Sequence, residues 1–150
     1  MSSERVYLAT SEAVDDEMVR RIEKHKKDRE QLNFHTIEEP MNLATALKTI
    51  EREGQVVVVE CISTWMGNLL HYEGIKEDYK QVKDFLDYLK TAKQKVIIVS
   101  NEVGQSLVPI EAISRHFIDQ VGFLNQDIAK IASSVVLVVA GLPTYLKGKE

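Results

Sequence analysis

QVVVVEC, residues 55–61, decides the fold class. Four consecutive valines leave no polar alternation, so the segment reads as a strand covered on both faces, as in parallel sheets. Three further runs read the same way: RVYLAT at 5–10, KVIIVSN at 95–101 and SVVLVVAG at 134–141. Helical patterns lie between them. Residues 15–29 place Met18, Ile22 and His25 at three- and four-residue spacing. Asp15 is an N-cap candidate, Asp16 and Glu17 suit the positive end of the helix dipole, and Val14 and Val19 are spaced as a hydrophobic staple. Residues 41–53 read as a second helix stopped by Gly54. Residues 78–93 read as a third, with Val82, Phe85, Leu86 and Leu89 on one face. Pro109 opens a fourth, expected to reach about Ile131 with an interruption near Gly122. Strands alternating with helices give an α/β fold: a mostly parallel sheet with flanking helices and crossover connections.

The 150 residues make one domain, with no repeat or linker, and residues 147–150 are expected to fray. Hydrophobic residues make up 44% of the chain, enough for a core. A net charge of −4 offers no basic surface for nucleic acid. The longest apolar stretch, residues 135–142, falls far short of the ~20 residues of a membrane helix. No signal-peptide pattern follows Arg5, and a cytoplasmic location is the default expectation. Cys61 is the sole cysteine, which excludes an internal disulfide.

Ligands of open parallel sheets bind outside the carboxyl ends of the strands. Those ends carry Thr10 and Ser11, Glu60 and Cys61, Asn101 and Glu102, and Gly141. Glu60 has the position of an acid that helps to hold Mg²⁺ in nucleotide-binding folds, or of one that caps the next helix. Ser63 and Thr64 are cap candidates for the helix carrying Trp65 and Leu70. His25 lies among Arg20, Arg21, Lys24, Lys26, Lys27 and Arg29. Such cations favour a neutral, nucleophilic imidazole and attract polyphosphate. On pattern alone, a surface histidine on a charged helix is the simpler reading. Arg115, Asp119 and Asn125 read as ion pairs and caps on a solvated face. His25, His35, His71 and His116 form no HExxH and no Cys–His ligand spacing. No GxSxG, GxGxxG or GxxxxGK[ST] run occurs.

Seven stretches, in order, carry a resemblance. They are YLATSEAVDDEM, RRIEKHKKDR, FHTIEEP, VVVVECISTWMGNLL, VSNEVGQSLVP, RHFIDQVGFLNQDIA and VVAGLP followed by LK. Together they resemble the bifunctional adenosylcobinamide kinase / adenosylcobinamide-phosphate guanylyltransferase family. The resemblance implies a P-loop NTPase fold of RecA-like type. It implies that His25 becomes guanylylated by GTP and passes GMP to adenosylcobinamide phosphate. It assigns nucleotide contacts to Ala9, Thr10, Ser11, Lys26, Lys27, Asp28, Arg29, Glu38 and Glu60. It implies GTP (or ATP) as substrate with Mg²⁺, adenosylcobinamide and its phosphate as partners, and a homo-oligomer. Neither a nucleic acid nor a membrane is implied.

The family's first strand and GGxxSGKS-type loop have no counterpart here, because Met1 lies six residues before Tyr7. Glu30 stands for a usual proline, Phe34 for a common tryptophan and Ile118 for a frequent arginine. Loss of the loop predicts no kinase activity from this chain and an open sheet edge prone to association. The alternative is a non-catalytic, nucleotide-binding fragment of the family.

Overall fold

The computed structural model describes residues 5–105 and 107–148. Its centre is a four-stranded, all-parallel sheet in the order β2-β1-β3-β4. The strands are β1 (Arg5–Ala9), β2 (Phe34–Glu38), β3 (Val56–Glu60) and β4 (Lys95–Val99). The helices are α1 (Asp16–Arg29), α2 (Leu43–Ile50), α3 (Ile62–Glu73), α4 (Lys80–Leu89) and α5 (Ala112–Ile131).

The order reverses direction at β1. The chain leaves β1 toward β2 on one side and leaves β3 toward β4 on the other. Right-handed crossovers then place α1 on the opposite face from the later helices. The burial pattern agrees. Val6 and Leu8 of β1 and Val57 and Val59 of β3 point one way and are at most 1% exposed. They pack in one core with Leu43 and Leu47 of α2, Trp65 and Leu69 of α3, Phe85 of α4 and Leu124 of α5. Trp65 is anchored twice: its ring meets Phe85 edge-on at 5.2 Å, and its indole N–H donates to the Met41 carbonyl at 2.8 Å.

The other face is only partly clothed. Tyr7 lies under α1, but Ile97 is 52% and Val99 37% exposed. The expectation of strands covered on both faces therefore fails for β4. Its valines and isoleucines alternate between half-buried and exposed, because among the described residues no helix crosses back over that half of the sheet.

The fourth apolar run also departs from expectation. β5 (Val135–Val139) does not join the parallel sheet; it pairs antiparallel with β6 (Leu142–Lys147) in a separate hairpin, with much of its apolar surface exposed. Ala140 and Gly141 both take positive φ, 52° and 77°, the geometry a two-residue hairpin turn requires. Lys147, expected in a frayed tail, ends β6 and donates to the Ala129 and Lys130 carbonyls at the end of α5; residues 149–150 lie outside the described residues.

Helix limits shift as well. α2 and α4 are shorter than their apolar patterns, and α5 starts at Ala112 rather than Pro109 and runs through Gly122 unbroken. The α3 cap is Cys61, whose Sγ accepts from the Thr64 N–H at 3.4 Å, not Ser63 or Thr64. Asp15 does cap α1, accepting from Met18 N–H at 2.7 Å. Val14 stands 75% exposed, so the expected staple with Val19 shields little.

Candidate active site

Reversal of strand order opens a crevice between the carboxyl ends of β1 and β3, where doubly wound sheets take their ligands. Thr10 and Cys61 close its floor. The Thr10 N–H donates to the Glu60 carbonyl at 3.0 Å. The Thr10 hydroxyl donates to the Cys61 carbonyl at 2.9 Å and accepts from the Cys61 N–H at 2.8 Å. Thr10 is fully buried, so these bonds replace water entirely. Asn68 of α3 donates through Nδ2 to the Thr10 carbonyl at 2.8 Å and the Pro40 carbonyl at 3.1 Å, tying the ends of β1 and β2 to one helix.

Strand register brings the acids together. Ala9 pairs with Glu38 on one side and Glu60 on the other, so all three share one face at the carboxyl edge. That face is the one beneath α1. Glu60 Oε2 accepts from the Tyr7 hydroxyl at 2.6 Å, a diagonal contact, since Tyr7 itself pairs with Val58. Burial of the ring, the hydrogen bond to Glu60 and its negative charge together hold the Tyr7 hydroxyl well above its ordinary ionisation range. Above the same ring lies the Arg29 guanidinium, its central carbon 3.6 Å from the ring centroid. Lys26 pairs with Glu38 at 2.6 Å. Phe34 meets Tyr7 edge-on at 6.2 Å.

α1 has no buried residue, and Met18 and Ile22 are only half-buried. Its attachment to the sheet thus depends heavily on Arg29 over Tyr7 and Lys26 on Glu38. His25 is exposed on this helix, as are Lys27 and Asp28. Ala9 is half-buried, with its carbonyl accepting from the Glu39 N–H at 2.9 Å, and Ser11 is half-buried at the crevice lip. Of the residues that the sequence marks, strand pairing sets Ala9 between Glu38 and Glu60, a hydrogen bond connects Thr10 with Glu60, and an ion pair connects Lys26 with Glu38. Arg29 reaches Glu60 through Tyr7.

The end of β4 joins from the other side. Asn101 donates to Ser63 Oγ at 2.9 Å, and Asn125 of α5 donates to the Asn101 carbonyl at 3.3 Å while accepting from Ser100 at 2.6 Å. Asn125 and Arg115 thus hold loops rather than merely solvating a face; Arg115 donates to the Pro109 and Ile110 carbonyls. Tyr7 and Asn68 were not singled out in the sequence. Both sit in apolar segments, and their partners are 53 and 58 residues away, a proximity only strand order creates.

A metal would find few ligands. Among the described residues no group of three or more His, Cys, Asp or Glu side chains could hold one. The arrangement fits only a cation carried largely by phosphate oxygens and water, with a single carboxylate such as Glu60 added. Among the described residues, no helix is long and apolar enough to cross a membrane.

The family model described as "Cobinamide kinase / cobinamide phosphate guanyltransferase" matches residues 1–146. Three similar proteins bear related names. The bifunctional adenosylcobalamin biosynthesis protein CobP of Pseudomonas aeruginosa is 37% identical over 143 residues, covering 95% of this chain and 82% of that protein. The bifunctional adenosylcobalamin biosynthesis protein CobU of Escherichia coli is 35% identical, covering 97% and 87%. Its namesake from Salmonella typhimurium is 36% identical, covering 95% and 85%. The match to a solved structure, the SAH-bound methyltransferase PaMTH1 of Podospora anserina, covers 98% of this chain and 72% of that one at 13% identity and a TM-score of 0.33.

Proposed function

The chain belongs to the cobinamide kinase / cobinamide phosphate guanyltransferase family, and from that premise we propose that it transfers GMP from GTP to adenosylcobinamide phosphate through a guanylylated His25. A neutral ring nitrogen of His25 attacks the α-phosphorus of GTP. A P–N bond forms, the bond to the bridging oxygen breaks, and pyrophosphate leaves. A phosphate oxygen of adenosylcobinamide phosphate then attacks the same phosphorus, the P–N bond breaks, and adenosyl-GDP-cobinamide results. One difficult transfer becomes two easier ones.

The observation that carries this reading is the seating of α1 beside the crevice. Arg29 stacks on Tyr7 and Lys26 pairs with Glu38. His25 precedes Arg29 by one helical turn, ~6 Å of rise. Glu60 lies two residues beyond Val58, the register partner of Tyr7, or ~6.6 Å along the strand. α1 returns from the carboxyl edge toward the amino edge, so these heights support His25 standing level with Glu60. In this reading Lys26, Lys27 and Arg29 meet the phosphates, with Asp28 beside them. Ala9, Thr10 and Ser11 line the nucleotide's strand-end side, and Glu38 and Glu60 receive its donors. Mg²⁺, held by Glu60 and the phosphates, would neutralise charge on the transferring group. A homo-oligomer covering the open half of the sheet and a cytoplasmic location complete the proposal.

Incubation with GTP labelled at the α-phosphate tests it. Acid-labile label that disappears in His25→Ala is the expected result, and an unlabelled wild type is the contrary one. The exposure of His25 on α1 favours a second reading: a nucleotide-binding member of the family without turnover. GTP binding without label would select it.

A further inference from the structure

We propose that Tyr7 is a positioning residue of this site: its hydroxyl fixes the Glu60 carboxylate while its ring seats the Arg29 guanidinium, so that acid and cation meet the nucleotide in one fixed relation. The inference rests on reading Glu60 and Arg29 as nucleotide contacts.

Tyr7 joins three parts of the site. It belongs to β1, touches the end of β3 through a 2.6 Å hydrogen bond, and supports the last residue of α1 at 3.6 Å. It is only 7% exposed and is steadied at its edge by Phe34, so its own position is set by packing. The Tyr7 hydroxyl, donating at 2.6 Å, occupies Oε2 of Glu60. Oε1, which takes no hydrogen bond from any described residue, is then the oxygen presented to a ligand. Arg29 is constrained from the other direction. Its Nε is shielded from solvent and has no partner, so the guanidinium is oriented by the ring beneath it rather than by a bond of its own. Immobilising both groups before the ligand arrives removes an ordering cost from binding.

The test uses the full chain with Tyr7→Phe, Glu60→Gln and the double variant. Tyr7→Phe keeps the ring, and so the seat for Arg29, and removes only the hydroxyl. Melting near the wild-type temperature establishes that each variant folds. Calorimetric titration with GTP should show Tyr7→Phe weakening binding ~10-fold, the scale of a lost hydrogen bond to a charged group. In the Glu60→Gln background the same change should cost less than about 2-fold, because the two residues act as one unit. Tyr7→Leu, which removes the seat for Arg29 as well, should weaken binding further. Unchanged affinity in Tyr7→Phe, or equal losses in both backgrounds, would overturn the proposal while leaving the functional reading intact. A wild-type chain that binds no GTP would defeat the functional reading and this role with it.

Discussion

Thr10 and Cys61 exchange hydrogen bonds in both directions across the switch point of the sheet, at 2.8 and 2.9 Å through a single hydroxyl. The Cys61 carbonyl also accepts from the Trp65 N–H at 3.0 Å, so the backbone group that depends on the hydroxyl is the Cys61 N–H. Thr10→Val preserves shape and strips both bonds. It should lower stability by about 1–3 kcal/mol, the cost of leaving the Cys61 N–H without a partner. Thr10→Ser keeps both bonds and loses only a methyl group's burial, about 0.8 kcal/mol. Urea denaturation of the pair should separate them clearly; equal losses would mean that the methyl, not the hydroxyl, matters.

Trp65 is the sole tryptophan, and it is fully buried between the Met41 carbonyl before α2 and Phe85 of α4. Its fluorescence should be blue-shifted in the native protein and move red on unfolding in step with circular dichroism. Trp65→Ala should cost roughly 3–5 kcal/mol. A red native emission would contradict the packing described.

Glu51 joins the end of α2 to the segment before β4. Its carboxylate accepts from the Lys93 N–H at 3.0 Å and the Tyr88 hydroxyl at 2.9 Å. The backbone bond from Lys93, then the Tyr88 hydroxyl, hold this acid below its ordinary range. A depressed folded value means that the contribution is present above the unfolded carboxyl's ~4.3 and is lost as pH falls through the lower folded value. Urea midpoints measured downward from pH 6 should therefore fall more steeply in wild type than in Glu51→Gln. Parallel curves would show that Glu51 is not coupled to folding.

Ile97 stands 52% exposed on the open half of the sheet beside Val99. If a second copy covers this face, Ile97→Asp should shift sedimentation from oligomer toward monomer with helix content unchanged. A wild type that is monomeric at high concentration would remove the reason for expecting an interface there.

The strands β1, β3 and β4 are legible in sequence as continuous apolar runs, but only β1 and β3 are central; β4 is an edge strand whose Ile97 and Val99 stand exposed, so its run reveals the strand and overstates its cover. β2 is not legible: FHTIE mixes polar and apolar residues, as an edge strand does. β5 misleads for the opposite reason. VVLVV reads alike in a parallel sheet and in a hairpin, and the deciding signal is the Ala140–Gly141 turn that follows it. At the site, Asp15 as a cap and Glu60 as a strand-end acid follow from local pattern. Tyr7 with Glu60, Lys26 with Glu38 and Thr10 with Cys61 do not, because each pairing exists only once register and the crossing of α1 are set.

His25 carries the nucleotide in the proposed transfer, and the most direct measurement of that step is peptide mapping by mass spectrometry after incubation with GTP. A GMP adduct on the peptide containing His25, discharged when adenosylcobinamide phosphate is added and absent from His25→Ala, is the predicted result. An adduct on another residue, or none on a folded chain that binds GTP, would contradict it.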